Sequence, residues 1–210
     1  MNAVFYEMIS EIAKNIQANK DFLTDLDREI GDGDHGINMA RGFSNVMSKL
    51  NVDEEMSISD SLKKVGMIII STVGGASGPL YGSAFLKAAM ATRNHEQVDG
   101  ELLGIILKAS LEGIQERGKA TRGDKTIIDA LEPACEIYFK GINEGESTIE
   151  CMQAACKAAE GGIESTKLIA ARKGRASYLG ERSIGYQDPG ATSTLIMLQS
   201  ITDVLVRQEA

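Results

Sequence analysis

Three carboxylates, Asp27, Asp32 and Asp34, fall within eight residues at spacing i, i+5, i+7, interleaved with Gly31 and Gly33 and followed by Gly36. Carboxylates crowded this closely repel one another. A hard cation such as Mg2+ relieves the repulsion by taking them as oxygen ligands, leaving its other positions to water or substrate phosphates. The chemistry on offer is a metal site that holds, through the metal, the phosphates of a nucleotide. A solvated Asp/Gly turn is the plain alternative, and the loop alone does not separate the two. Two sharper motifs fail. An EF-hand loop needs a third ligand where Gly36 stands. Gly31-x-Gly33-x-x-Gly36 has the form of the dinucleotide fingerprint, which requires a preceding strand and a bare pyrophosphate on helix-end amides. Phe22 to Leu26 is a poor strand, and Asp32 and Asp34 would repel the phosphates.

Two other stretches have a related character. Gly74-Gly75-Ala76-Ser77-Gly78-Pro79 leads into a helix start, where unpaired amides and a partial positive charge suit phosphate. Residues 172–190 follow neither helical nor strand period and carry Arg172, Lys173, Arg175 and Arg182 against Glu181 and Asp188. A long stretch of this kind inside a compact domain is usually functional. Cations on a glycine-hinged loop suit a lid that closes over phosphates.

The elements that must position these loops read as helices. Apolar residues recur at helical spacing over 2–19, 36–50, 59–70, 79–90, 100–114, 126–140, 147–171 and 189–205, with Ser59 or Asp60, Asp99 and Ser147 at helix starts. No segment reads as a credible strand, so the expected class is all-α: an eight-helix antiparallel up-down bundle in one domain, 1–210. In that topology alternate connections meet at one end. The loops at 20–36, 71–79, 117–125 and 172–189 fall together, and the polar connectors Asn51–Ser57, 92–98 and 141–146 fall at the other.

Composition bounds the rest. No run of 18 apolar residues offers a membrane span, and the N-terminus lacks the basic-then-apolar pattern of a signal peptide. A net charge of -8 argues against nucleic acid as a partner. It also means that a phosphate site must be assembled locally, from metal, amides and a few placed cations. Cys135, Cys151 and Cys156 show no metal-binding spacing and read as buried thiols of a reducing, cytoplasmic protein.

Taken together, Leu26-Asp27-Arg28-Glu29-Ile30-Gly31-Asp32-Gly33-Asp34-His35-Gly36, Val73-Gly74-Gly75-Ala76-Ser77-Gly78-Pro79-Leu80, Gly123-Asp124-Lys125-Thr126 and the run from Arg172 to Ser183 resemble the nucleotide-binding L subunits of bacterial dihydroxyacetone kinases. His35 favours that branch over related kinase domains, which tend to carry Thr there. The resemblance implies an eight-helix barrel with the nucleotide at one end. It implies Mg2+, two ions in that family, on Asp27, Asp32 and Asp34. Phosphate contacts are implied for His35, Gly36, Ile37, Asn38, Ala76 and Ser77, and further nucleotide contacts for Gly118, Ile127, Arg175, Asp188, Pro189 and Gly190. Arg175 would also meet the charge of the transition state.

For function, the resemblance implies a phosphotransferase subunit with ADP/ATP as cofactor. A phosphotransferase-system M subunit rephosphorylates the ADP, and a K subunit holds the dihydroxyacetone that receives the phosphate. The alternatives are a subunit that exchanges ATP freely to serve another hydroxy-ketone or polyol, and a nucleotide-state sensor read by a transcription regulator. A phosphohistidine role for His35 is a further, lesser reading.

Overall fold

The computed structural model describes residues 2–52 and 55–209; Asp53 and Glu54 of the expected polar connector Asn51–Ser57 lie outside that range, as do Met1 and Ala210. The described residues form nine α-helices and a 3-10 segment kinked at Gly180, with no strand: α1 (Ala3–Ala18), α2 (Lys20–Ile30), α3 (His35–Lys49), α4 (Ile58–Thr72), α5 (Ser77–Ala91), α6 (Gly100–Gly118), α7 (Ile127–Glu144), α8 (Thr148–Thr166), the 3-10 segment Arg175–Ser183 and α9 (Pro189–Glu209).

Eight of these helices form a closed ring. α1 packs on α3, each helix from α3 to α9 packs on the next, and α9 returns to α1. The all-α class and the antiparallel barrel therefore stand. The ring closes because each helix turns an apolar stripe inward. One hydrophobic cluster draws buried residues from all nine α-helices, including Ile12 and Ile16, Leu23, Phe43, Ile69, Leu102, Ile128, Cys151 and Val204.

Three sequence readings need correction. The stretch expected as part of a 20–36 loop is mostly helix, because α2 occupies Lys20–Ile30 and packs on α3 at the mouth of the ring. Its buried face is Leu23, Thr24, Asp27 and Ile30, so an acidic residue sits where an apolar stripe would have announced the helix. The helix expected to reach residue 171 stops at Thr166, where Lys167 and Leu168 turn tightly onto the carbonyls of Glu164 and Ser165. Leu168 then points into solvent, 78% exposed. The cap of α4 is Ser57, whose side chain accepts from the Asp60 amide, rather than Ser59 or Asp60.

Candidate functional site

The acidic loop is built on the end of α2. Asp27 lies in its last turn, almost fully buried, and one carboxylate oxygen accepts from the backbone amides of Asp34 (2.9 Å) and His35 (3.2 Å). The carboxylate thus clasps the loop onto its own helix. That approach needs glycine at 31, where a Cβ would lie 2.1 Å from Asp27 Oδ1. Gly33, at φ +71, supplies the left-handed turn that brings Asp34 back. One oxygen from each of Asp27, Asp32 and Asp34 then lies within 4.8 Å of the others. Arg175 Nη2 reaches in from the 3-10 helix to donate to Asp32 Oδ2 at 2.9 Å. Three hard oxygen donors on a fixed backbone, open on one side, fit Mg2+.

Two helices begin beside this cluster without a cap from their own N-cap residue, α3 after Asp34 and α5 after Ala76, and in α3 only the His35 amide is taken, by Asp27. Their first-turn amides are the standard anion-binding feature of a helix start. Ser77, the first residue of α5, is tied to a chain of polar groups. His35 Nδ1 meets Ser77 Oγ at 3.1 Å, His35 Nε2 meets Ser193 Oγ at 2.9 Å, and Ser193 Oγ meets the Tyr81 hydroxyl at 2.7 Å. Burial pushes the His35 imidazole down to about 4, against the charges of Asp27 and Asp34, so the ring is neutral near pH 7. Both ring nitrogens are occupied by hydroxyls, which argues against a phosphohistidine role and for a role in aiming Ser77. Asn38, which also lines the cleft, has its carbonyl oxygen held by Arg41 Nη2 at 2.6 Å.

The opposite wall comes from the starts of α7 and α9. Asp188 precedes α9 and accepts from the Ala191 amide at 2.7 Å. Burial pushes its carboxyl up to about 7; the Ala191 amide and the Lys125 ammonium oppose this, and the charge of Asp129 adds to it. Gly190 allows α9 to abut α7, since a Cβ there would lie 2.9 Å from Ile127 Cγ1.

These walls enclose a cleft of about 340 Å³ at one end of the barrel, lined from all four loops that alternation brings together. Asp27, Asp32, Asp34, His35, Asn38, Ala76, Ser77, Gly118, Ile127, Arg175, Asp188, Pro189 and Gly190 all line it. Gly36 and Ile37 do not. In α3 the cleft-facing side chains are His35 and Asn38, one turn apart. Ile37 points to solvent at 47% exposed, and Gly36 faces α2, where a Cβ would lie 1.9 Å from the Lys20 carbonyl oxygen. What those two residues can offer a ligand is their first-turn backbone amides.

Sequence reasoning missed the cations Arg117 and Lys125 as lining residues. It also missed Asp129, which accepts from the amides of Gly123 (2.6 Å) and Thr126 (2.7 Å) and so fixes the loop before α7. The Thr-x-x-Asp spacing at 126–129, a capping-box pattern, was the available signal. The 172–190 segment is more ordered than a free lid: it holds a 3-10 helix and is fastened to the α6–α7 loop through Arg172 N to Asp124 O at 3.1 Å.

Comparison with known proteins meets this geometry directly. A family model described as the DAK2 domain matches residues 29–203. The chain belongs to the DAK2 domain family. It is 48% identical over 181 residues to the Escherichia coli (strain K12) PEP-dependent dihydroxyacetone kinase, ADP-binding subunit DhaL, covering 86% of each chain. It is 44% identical to ADP-binding subunit DhaL of PEP-dependent dihydroxyacetone kinase 1 from Listeria innocua, over 92% of this chain and 91% of that one. Among solved structures it resembles the dihydroxyacetone kinase from C. freundii in complex with AMP-PNP and Mg2+, with a TM-score of 0.75 at 24% identity. That likeness speaks for the fold, and it covers 97% of this DAK2 chain and 34% of the solved one. No helix among the described residues is long and apolar enough to cross a membrane.

Proposed function

We propose that this chain is the Mg2+–nucleotide-binding subunit of a dihydroxyacetone kinase of the phosphotransferase-coupled kind. The observation that carries the reading is the convergence, in one cleft, of the Asp27–Asp32–Asp34 cluster with the uncapped starts of α3 and α5. The names of the close relatives supply the substrate class and the coupling. We take the chain as one domain, as the single core spanning all nine α-helices supports, and we place it in the cytoplasm with its relatives' kinase systems.

In this reading Asp27, Asp32 and Asp34 hold the metal, two ions by analogy with the family. Bound Mg2+ supplies neutralisation of the phosphate charge. The chain's own residues do the positioning on which phosphoryl transfer chiefly depends. Ser77, held by His35, offers a hydroxyl to a phosphate oxygen. Asn38 offers its amide, and the first-turn amides of α3 and α5 complete the anion cradle. Arg175, 65% exposed at the rim, meets the charge that develops as the phosphoryl group moves. The edge formed by half-buried Gly118 and buried Ile127, Pro189 and Gly190 leaves room for the rest of the nucleotide. No side chain of this protein has to act as nucleophile. A partner M subunit would transfer the phosphoryl group onto the bound nucleotide, and a partner K subunit would present dihydroxyacetone to receive it.

Native mass spectrometry before and after EDTA and gel filtration tests this. ADP and Mg2+ retained until chelation support the coupled route. A protein that purifies empty yet binds added ATP–Mg2+ favours the ATP-exchanging alternative. Binding of neither nucleotide nor divalent metal sinks the reading. A nucleotide-state sensor is separated from the enzyme by reconstitution with a K subunit, where phosphorylated triose appears only for the enzyme.

A further inference from the structure

Lys125 is the least expected residue of the site. It is a lysine buried at 1% exposure, with backbone in the left-handed region at φ 62, a conformation unfavourable for any residue with a Cβ. Its ammonium faces four backbone carbonyls: Thr166 at 2.7 Å, Ile169 at 3.3 Å, Ser183 at 2.6 Å and Tyr186 at 2.5 Å. Two of these oxygens come from the end of α8 and its exit, and two from the far side of the 3-10 helix. They are brought together by the chain looping back: Gly185 N donates to Lys167 O at 2.8 Å, and Ala171 N donates to Ser183 Oγ at 2.9 Å. The segment so wound carries Arg175 and ends at Asp188, whose amide donates to Thr166 Oγ1 at 3.0 Å.

Four carbonyls converging on one point would repel one another without a cation between them. A cage of carbonyl oxygens is how proteins replace the hydration shell of a monovalent ion. A neutral amine would offer two N–H groups and turn its lone pair on a carbonyl; the ammonium offers three N–H groups and no lone pair. Burial lowers the Lys125 pKa, and the charges of Asp188 and Asp129 oppose that.

We propose that Lys125 is a positioning residue whose ammonium acts as a tethered monovalent cation, the centre around which residues 166–188 are wound so that Arg175 and Asp188 face the cleft. This rests on reading the cleft as a Mg2+–nucleotide site.

The test pairs Lys125→Ala, which vacates the cage, with Lys125→Met, which keeps the stem and so blocks it. Both should bind Mg2+–ADP about 10-fold more weakly or worse. Both should also be cut faster by trypsin at Arg172, Lys173, Arg175 and Arg182, with or without nucleotide. Addition of roughly 100 mM potassium or ammonium should restore affinity and trypsin resistance to Lys125→Ala, while choline at the same ionic strength should not. Lys125→Met should respond to none of them. Wild-type affinity in the variants, equal rescue by choline, or no rescue of Lys125→Ala by any small cation overturns the proposal. If neither variant folds, the wild-type lysine ammonium decides: a slowly exchanging 15N-bound NH3+ signal supports the cage, and a freely exchanging one overturns it. Failure of wild type to bind Mg2+–ADP would count against the nucleotide reading, and trypsin resistance of the nucleotide-free proteins would still decide the role of Lys125.

Discussion

The two ends of the barrel start their helices differently. At the end away from the cleft, α1, α4, α6 and α8 are each capped by a side chain of their own, from Asn2, Ser57, Asp99 and Ser147, accepting from Phe5, Asp60, Leu102 and Glu150 respectively. At the cleft end α7 and α9 are capped by Thr126 and Asp188, whereas α2, α3 and α5 have no cap from their own N-cap residue, and in α3 the first amide, that of His35, is taken by Asp27. A side-chain cap contributes about 1 kcal/mol. The far end takes that stability at every helix. The cleft end forgoes it at three helices, and at α3 and α5, which flank the acidic cluster, the first-turn amides beyond His35 are left without a side-chain cap.

The largest effect should come from removing a metal ligand at the cleft end. Asp34→Ala is expected to weaken Mg2+–ADP binding by more than about 100-fold in calorimetry. Binding within about 3-fold of wild type would remove Asp34 from the metal site. Next, Ala76→Asp places a carboxylate at the uncapped start of α5, making the cleft end more like the far one. The nucleotide-free protein should gain a few tenths of a kcal/mol through the helix dipole, and affinity should fall about 10-fold through repulsion of the phosphates. A variant that binds as tightly as wild type would mean that α5 is not aimed at the anion.

A pH effect should belong to the cleft end as well. Asp188 has its carboxyl pushed up to about 7 in the folded protein, whereas an unfolded Asp titrates near about 4. The folded state then holds more protons between these values, so this group's contribution to stability is greatest below about pH 4 and declines as pH rises to about 7. Asp188→Asn, whose side-chain oxygen can still accept from Ala191, should remove that decline in a series of denaturant melts. Identical slopes in the two proteins would show that the carboxyl is ionised throughout. The smallest effect is at the far end. Ser147→Ala should cost about 1 kcal/mol, lowering Tm by roughly 2–4 °C, with Mg2+–ADP affinity unchanged. A loss of affinity there would mean that the two ends are not independent.

The capping contrast also explains what the sequence could convey. Asp99, Thr126 and Ser147 stand before apolar periods and mark helix starts by type and position. The eight ring helices were legible for the same reason, since each keeps an apolar stripe. α2 was not, because the residue completing its buried face is Asp27, a carboxylate bonded to the Asp34 and His35 amides rather than an apolar side chain. The acidic loop announced itself through the crowding of Asp27, Asp32 and Asp34 between glycines. The winding of residues 166–188 left no comparable trace, because the partners of Lys125 are all backbone carbonyls and no side-chain pattern encodes them. His35 was visible as a polar residue beside the acidic cluster. Its partner Ser193, 158 residues away, becomes its neighbour only when the ring closes.

Closure of the ring has an architectural consequence. Where α9 returns to α1, Arg207 donates to Glu7 at 3.3 Å and Glu11 at 3.1 Å, and Gln208 donates to Glu7 at 2.8 Å. Both ends of the described chain therefore sit side by side on the face farthest from the cleft. Such an arrangement is portable: a tether to another module attached at either end leaves the mouth clear. The same fold makes up about one third of a longer chain in the C. freundii kinase, where the match covers 34% of the polypeptide.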